Sequence, residues 1–87
     1  MALSDDFLEA QGRVKQLSKT PDAPDLLELY AWYKQGTVGD VTGERPGMLD
    51  FKGRAKYDAW STKRGMSKAT AMQEYVGLVQ RLVGEHG

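Results

Sequence analysis

The chain has 87 residues, with twelve basic and twelve acidic side chains and no cysteine. A chain this short buries little more than roughly 60% of the surface it exposes when unfolded, which leaves room for one core and a single domain over residues 1–87. Disulfides and thiolate zinc sites are excluded, and the charge balance argues against a nucleic-acid binder, which carries a clear positive excess.

The N-terminus MALSDDFLEA is acidic and lacks the basic region and apolar core of a signal peptide. No stretch approaches the roughly 20 apolar residues of a membrane span. A soluble, cytoplasmic protein without stable membrane insertion is expected.

The first helix is marked by Leu3, Phe7, Ala10, Val14 and Leu17 at steps of three and four, with Ser4, Asp5 and Asp6 at its start. SKTPDAPD interrupts it. Pro24 suits the first turn of a second helix, where Asp22 or Asp25 favours the positive end of the dipole. That helix carries Leu26, Leu27, Leu29, Tyr30 and Tyr33 and ends near GTVGD. The stretch VGDVTGERPGMLD is dense in turn formers and reads as a long ordered loop, a feature often tied to function. Asp50 caps a third helix that stops at Gly65, and Ser67 caps a fourth built on Ala69, Met72, Tyr75, Val76, Val79, Leu82 and Val83. With no alternating strand pattern, the fold class is all-α, a four-helix bundle.

Charge is unevenly spread. Residues 51 to 68 hold six basic side chains against Asp58 alone, a net of +5, while residues 1 to 50 carry a net of −4. The basic sector suits one small polyanion better than a duplex. The single histidine, His86, is penultimate, so Ser/His and Cys/His arrangements and multi-histidine metal sites lack their residues. Carboxylates such as Asp5, Asp6, Glu9 and Asp25 cluster at helix starts, where a dipole role suffices. GTVGDVTGERPG lacks the spacing and Lys-Ser/Thr ending of a phosphate loop, and Arg45 reads as a loop-positioning or solvated charge. No enzyme, cofactor or metal is expected.

The stretch YAWYKQGTVGD is more specific. At about 100° per residue from Tyr30, Tyr33 lies at about 300° and Lys34 at about 40°, whereas Trp32 lies at about 200°. Two phenols and an amine therefore share one face, and Lys52, Lys56 and Lys63 share a narrow arc of the third helix. Tyrosine stripes more often belong to a core and lysine stripes more often face water. Core rings, however, have little need of a lysine between them. Two basic faces beside phenols would make a pocket for phosphates attached to an aromatic base.

YKQGTVGD, ERPGMLDFKGRAKYDAW and the spacing to AMQEYVGLVQRL resemble the acyl-CoA-binding protein family from Phe7 to the C-terminus. The resemblance implies an up-down-down-up order of helices and binding of fatty acyl-CoA, of medium to long chain, without chemical change. It also implies the ligand residues: Tyr30, Tyr33 and Lys34 at the nucleotide, Lys56 and Lys15 at the head group, Leu27 at the acyl region and Tyr75 along the ligand. A monomeric cytoplasmic carrier with transient contacts to acyl-CoA-using enzymes follows from it. Three positions depart from the family pattern: Gly36, expected to loosen the helix end by up to about 1 kcal/mol relative to alanine; Tyr57, whose hydroxyl needs a partner; and Gln11, expected at the pocket mouth. The competing reading is a small helical interaction module that docks an acidic partner through its lysine-rich third helix. A hydrolase or transferase lacks a nucleophile and base.

Overall fold

The computed structural model describes residues 2–86, with the side chain of His86 outside the described residues. Four helices form: α1 (Leu3–Val14), α2 (Ala23–Thr37), α3 (Phe51–Ser61) and α4 (Lys68–His86). In α1 the predicted stripe buries Phe7 and Ala10, and Asp5 and Asp6 stand in the first turn. The helix stops at Val14, three residues short of Leu17, which nevertheless packs against the core from beyond the helix end. Further on, Pro21 disfavours helical conformation at Thr20, in the connection to α2.

Asp22 occupies the N-cap position of α2 and Pro24 its first turn. The other end is closed by Gly39 at φ +99°, a left-handed conformation open to glycine, with the N–H groups of Val38 and Gly39 both donating to the Lys34 carbonyl (2.8 and 3.2 Å). In α3 Asp50 is the cap, accepting the Gly53 N–H at 2.9 Å. The helix ends at Ser61, before Lys63 and Gly65, which lie in the turn that follows. Ser67 Oγ accepts the Thr70 N–H at 3.0 Å to start α4, whose buried stripe is Ala71, Tyr75, Val79 and Leu82. Ala69, expected inside, is exposed, since Ala71 begins the four-residue steps to Tyr75 and Val79.

Contacts between elements fix their directions. Gly36 meets Met72 while Asp25 pairs with Arg81, so α2 and α4 are antiparallel. Phe7 packs on Tyr75 and Arg13 shares a hollow with Val83, so α1 runs parallel to α4. Lys56 lies over Tyr30 and, one turn later in both helices, Trp60 lies against Lys34, so α3 follows α2 in the same sense. The order is up-down-down-up. Backbone packing joins α1 to α4, α4 to α2 and α2 to α3, which leaves α1 and α2 apart.

The loop from 38 to 50 is tied down at many points. Gln35, fully buried, donates through Nε2 to Asp40 (2.9 Å) and to the Met66 carbonyl (2.8 Å), and Asp40 also accepts the Gly65 N–H (2.8 Å). Trp60 Nε1 donates to the Gly39 carbonyl (2.8 Å), and Tyr57 donates its hydroxyl to the Gly43 carbonyl (3.0 Å), supplying the partner that this phenol requires. Arg45 grips Asp58 through two bonds of 2.8 and 2.7 Å and is thus a loop-positioning residue.

Gly36 is the next-to-last residue of α2, yet it is packed there. It is buried inside α2, where an added Cβ would stand 3.2 Å from Met72 Cγ and 3.5 Å from Phe7 Cζ. In Gly36→Ala the helix gain of up to about 1 kcal/mol opposes that tight contact, so stability in urea should move little. The bulkier Gly36→Val should lose about 1–3 kcal/mol. A valine variant as stable as the parent would show that α2 and α4 do not meet closely there.

Two carboxyls supply a pH dependence. The Gly65 N–H, then the Gln35 amide, hold Asp40 below its ordinary pKa of 3.8, and the Arg45 hydrogen bond does the same for Asp58. Their stabilisation is complete above 3.8 and is lost as pH falls through the lower folded values. Denaturation at stepped acid pH should show this loss, with a flatter acid limb in Asp40→Asn/Asp58→Asn; an unaltered limb would refute the assignment.

Candidate functional site

Because the backbones of α1 and α2 stand apart and meet only through side chains such as Phe7 and Tyr33, the end of α1, the connection that follows and the start of α2 border a cleft of about 380 Å³. Val14, Leu17, Leu26 and Leu29 make it apolar, Tyr75 reaches it from α4, and Lys15, Lys19 and Tyr30 add polar groups. Tyr75 is 5% exposed, edge-on to Phe7 at 5.0 Å between ring centroids and 6.3 Å from Tyr33, which itself stacks on Phe7 at 6.0 Å. Burial pushes the Tyr75 phenol above its ordinary pKa, with the neighbouring Tyr33 phenol adding to the effect.

The lysines beside the cleft rest on rings. Lys56 Nζ stands 5.4 Å from the Tyr30 centroid and Lys34 Nζ stands 5.0 Å from that of Trp60. Among the described residues, no carboxylate forms an ion pair with Lys15, Lys34 or Lys56. A ring face steadies an ammonium without neutralising it, so these charges stay available to an anion. Lys63 differs: it pairs with Glu28 and lies 4.2 Å from the Trp32 centroid. It also falls beyond the end of α3, so Lys52, Lys56 and Lys63 do not form one helical face.

Of the seven predicted residues, Lys15, Tyr30 and Tyr75 line the cleft, Tyr33 packs beside Tyr75, and Lys56 packs on Tyr30. Lys34 lies one turn along α2, on Trp60. Leu27 is half-buried but outside the lining, where Leu26 and Leu29 stand instead. Gln11 is also outside it. Sequence reasoning missed Lys19, four residues after Lys15, and Pro21, because both lie in a connection without periodicity. It missed Trp60 as the seat of Lys34 because that contact joins two helices. An apolar floor with phenols and unpaired ammonium groups at its edge suits an amphiphile with an anionic head.

Comparison with known proteins agrees with this chemistry. The family described as Acyl CoA binding protein matches residues 4–79. Acyl-CoA-binding protein homolog 1 of Caenorhabditis elegans is 48% identical over 81 residues, 93% of this chain and 94% of that protein. An acyl-CoA-binding protein homolog of Drosophila melanogaster is 43% identical over 84 residues, 97% and 98% of the respective chains. The crystal structure of Oryza sativa Acyl-CoA-Binding Protein 2 superposes with a TM-score of 0.91 at 43% identity, covering 95% of this chain and 90% of that one.

The burial of Tyr75 has a readout. Its folded pKa is raised above 10.0, so the stabilisation from keeping it neutral is complete below 10.0 and is lost as pH rises through the folded value. Ultraviolet titration should show a late-ionising phenol, above the ordinary 10.0, and Tyr75→Phe should remove that step. Persistence of the late step in the variant would assign it to another tyrosine.

Proposed function

The chain belongs to the acyl-CoA-binding protein family, and on that premise we propose that its cleft takes a fatty acyl ester of coenzyme A, head group on the lysines and chain on the apolar floor. It binds acyl-CoA and is not an enzyme. The observation that carries the site assignment is an apolar cleft lined by Lys15, Tyr30 and Tyr75, with the ammonium groups of Lys56 on Tyr30 and of Lys34 on Trp60 beside it and Tyr33 packed next to Tyr75. The lysines meet the phosphates, the phenol hydroxyls donate to phosphate oxygens, and a ring face stacks on the purine. Leu27, on the Tyr30 and Lys34 side of α2, is assigned to the acyl chain together with Leu26 and Leu29.

Affinity then has two parts. Each methylene buried contributes about 0.8 kcal/mol, so a dozen give on the order of 10 kcal/mol before ordering costs. The head group adds charge-assisted bonds and orientation. Medium and long chains are therefore favoured over free coenzyme A, and the protein acts as a monomeric cytoplasmic carrier that passes its ester to acyl-CoA-using enzymes. The interaction-module reading is not favoured: Lys63, part of its basic face, is engaged by Glu28 and lies off α3.

Calorimetry with palmitoyl-CoA, palmitate and coenzyme A in parallel tests the reading. The intact ester should bind far more tightly than either half, and Lys56→Ala should weaken it roughly 10- to 100-fold, the range of a lost charge-assisted bond. The same variant should change thermal stability little, since an exposed cation–π contact is worth about 0.5–1 kcal/mol. Equal affinity for all three compounds would sink the proposal, and collapse of the fold in Lys56→Ala would assign that lysine to structure.

A further inference from the structure

Away from the cleft, the corner between the long loop and α3 shows an arrangement that acyl-CoA binding leaves unexplained. Met48, Leu49 and Phe51 are 78%, 92% and 76% exposed, the three highest values among the exposed large apolar side chains. They are consecutive apart from Asp50, and they are held outward. The Asp50 N–H donates to the Gly47 carbonyl at 3.0 Å, closing a turn with Met48 and Leu49 at its corner. The Asp50 carboxylate accepts the Gly53 N–H, pinning Phe51 as the first helical residue. The Asp50 carboxylate occupies the space a Cβ at Gly53 would take, so a side chain there would oblige the carboxylate to shift. Upstream, Arg45 is clamped to Asp58. The fold therefore fixes three water-exposed apolar side chains at one corner.

Cations accompany them. Lys52 is exposed and, among the described residues, in no ion pair; it opens the segment from 51 to 68 that carries a net of +5. Between residues 44 and 57 the carboxylates are Glu44 and Asp50, the second of which is engaged as a helix cap. A rigid apolar tip beside basic residues has the makeup of an interfacial anchor, in which apolar groups enter the headgroup boundary and cations meet anionic lipid. Three side chains are too few for a stable protein interface, which takes about 800 Å² from each partner. No helix among the described residues is long and apolar enough to cross a membrane, so the contact is with its surface.

We propose that the Met48–Leu49–Phe51 corner, with Lys52, docks this protein reversibly on anionic lipid bilayers. Lys56 over Tyr30 sets the start of α3 beside the first turns of α2, whose Leu26 lines the cleft, so docking turns that end of the cleft toward the lipid. The contact uses no bound ligand and is independent of the acyl-CoA reading.

Flotation of the ligand-free protein with vesicles of phosphatidylcholine alone, or of phosphatidylcholine mixed with phosphatidylserine, tests this. The protein should float with the mixed vesicles and be released by salt. Leu49→Ser/Phe51→Ser and Lys52→Glu should each reduce the bound fraction about tenfold or more, with circular dichroism and palmitoyl-CoA affinity unchanged. As a second measurement, a tryptophan at Phe51→Trp should shift its emission to the blue on the mixed vesicles only. Absence of flotation, equal flotation of the double variant, or dimerisation in solution that Leu49→Ser/Phe51→Ser abolishes would each overturn the proposal.

Discussion

The placement of α3 is the constraint on which the site depends, and apolar packing supplies little of it. Trp60 is the buried residue of this helix, and Phe51, its other large apolar side chain, points to water. What holds α3 is polar and aromatic: Trp60 to the Gly39 carbonyl, Tyr57 to the Gly43 carbonyl, Asp58 to Arg45, and Lys56, Trp60 and Lys63 in cation–π contacts with α2. Such contacts occur about once per 70–80 residues in proteins at large, so two of them between α2 and α3, with a third from Lys63 in the turn that follows, make up much of that interface. Buried Gln35 supports the arrangement from below by joining the end of α2 to Asp40 and to the turn before α4.

Bracing lysines with rings rather than carboxylates has an electrostatic consequence. A Lys–Glu pair presents almost no net charge to a third group, as with Lys63 and Glu28. An ammonium over an indole or phenol loses part of its hydration and much of its freedom yet keeps its full charge. Lys34 and Lys56 are thus preorganised cations, and part of the ordering cost of binding an anion is met when the protein folds. The neutral total charge of the chain conceals this, because the acidic residues are placed elsewhere, at helix starts and in the Asp25–Arg81 and Glu28–Lys63 pairs.

Helical periodicity and capping residues made the four helices legible, and the wheel separated Trp32 from Tyr30, Tyr33 and Lys34 before any tertiary contact was known. The structure keeps that separation: Trp32 meets Lys63, while the other three meet α3, α4 and the cleft. Contacts far apart in sequence were not legible. Gly36 looks like a weak helix end until Met72 is seen against it, and Arg45 is ambiguous until Asp58 is placed. A wheel cannot choose between Leu27 and its neighbours Leu26 and Leu29, because the choice depends on which side of α2 the turn after α1 approaches. The early end of α1 at Val14 sets that approach.

The long loop first suggested function by its length alone. Topology gives a more direct reason. α3 runs in the same sense as α2, so the chain must climb back along α2, a helix of 15 residues and so about 22 Å long. Thirteen residues separate Thr37 from Phe51, and at about 3.3 Å each they cover that distance with slack for two corners. One corner, at Gly39 and Asp40, fastens the loop to Gln35 and to the turn before α4. The other, at Met48 and Leu49, carries no such bond to the core among the described residues and leaves apolar side chains in water. Length is thus a requirement of the parallel pair, and the information lies in how the slack is used: one corner is tied inward by hydrogen bonds, and the other is braced outward by the Gly47–Asp50 turn and the Asp50 cap.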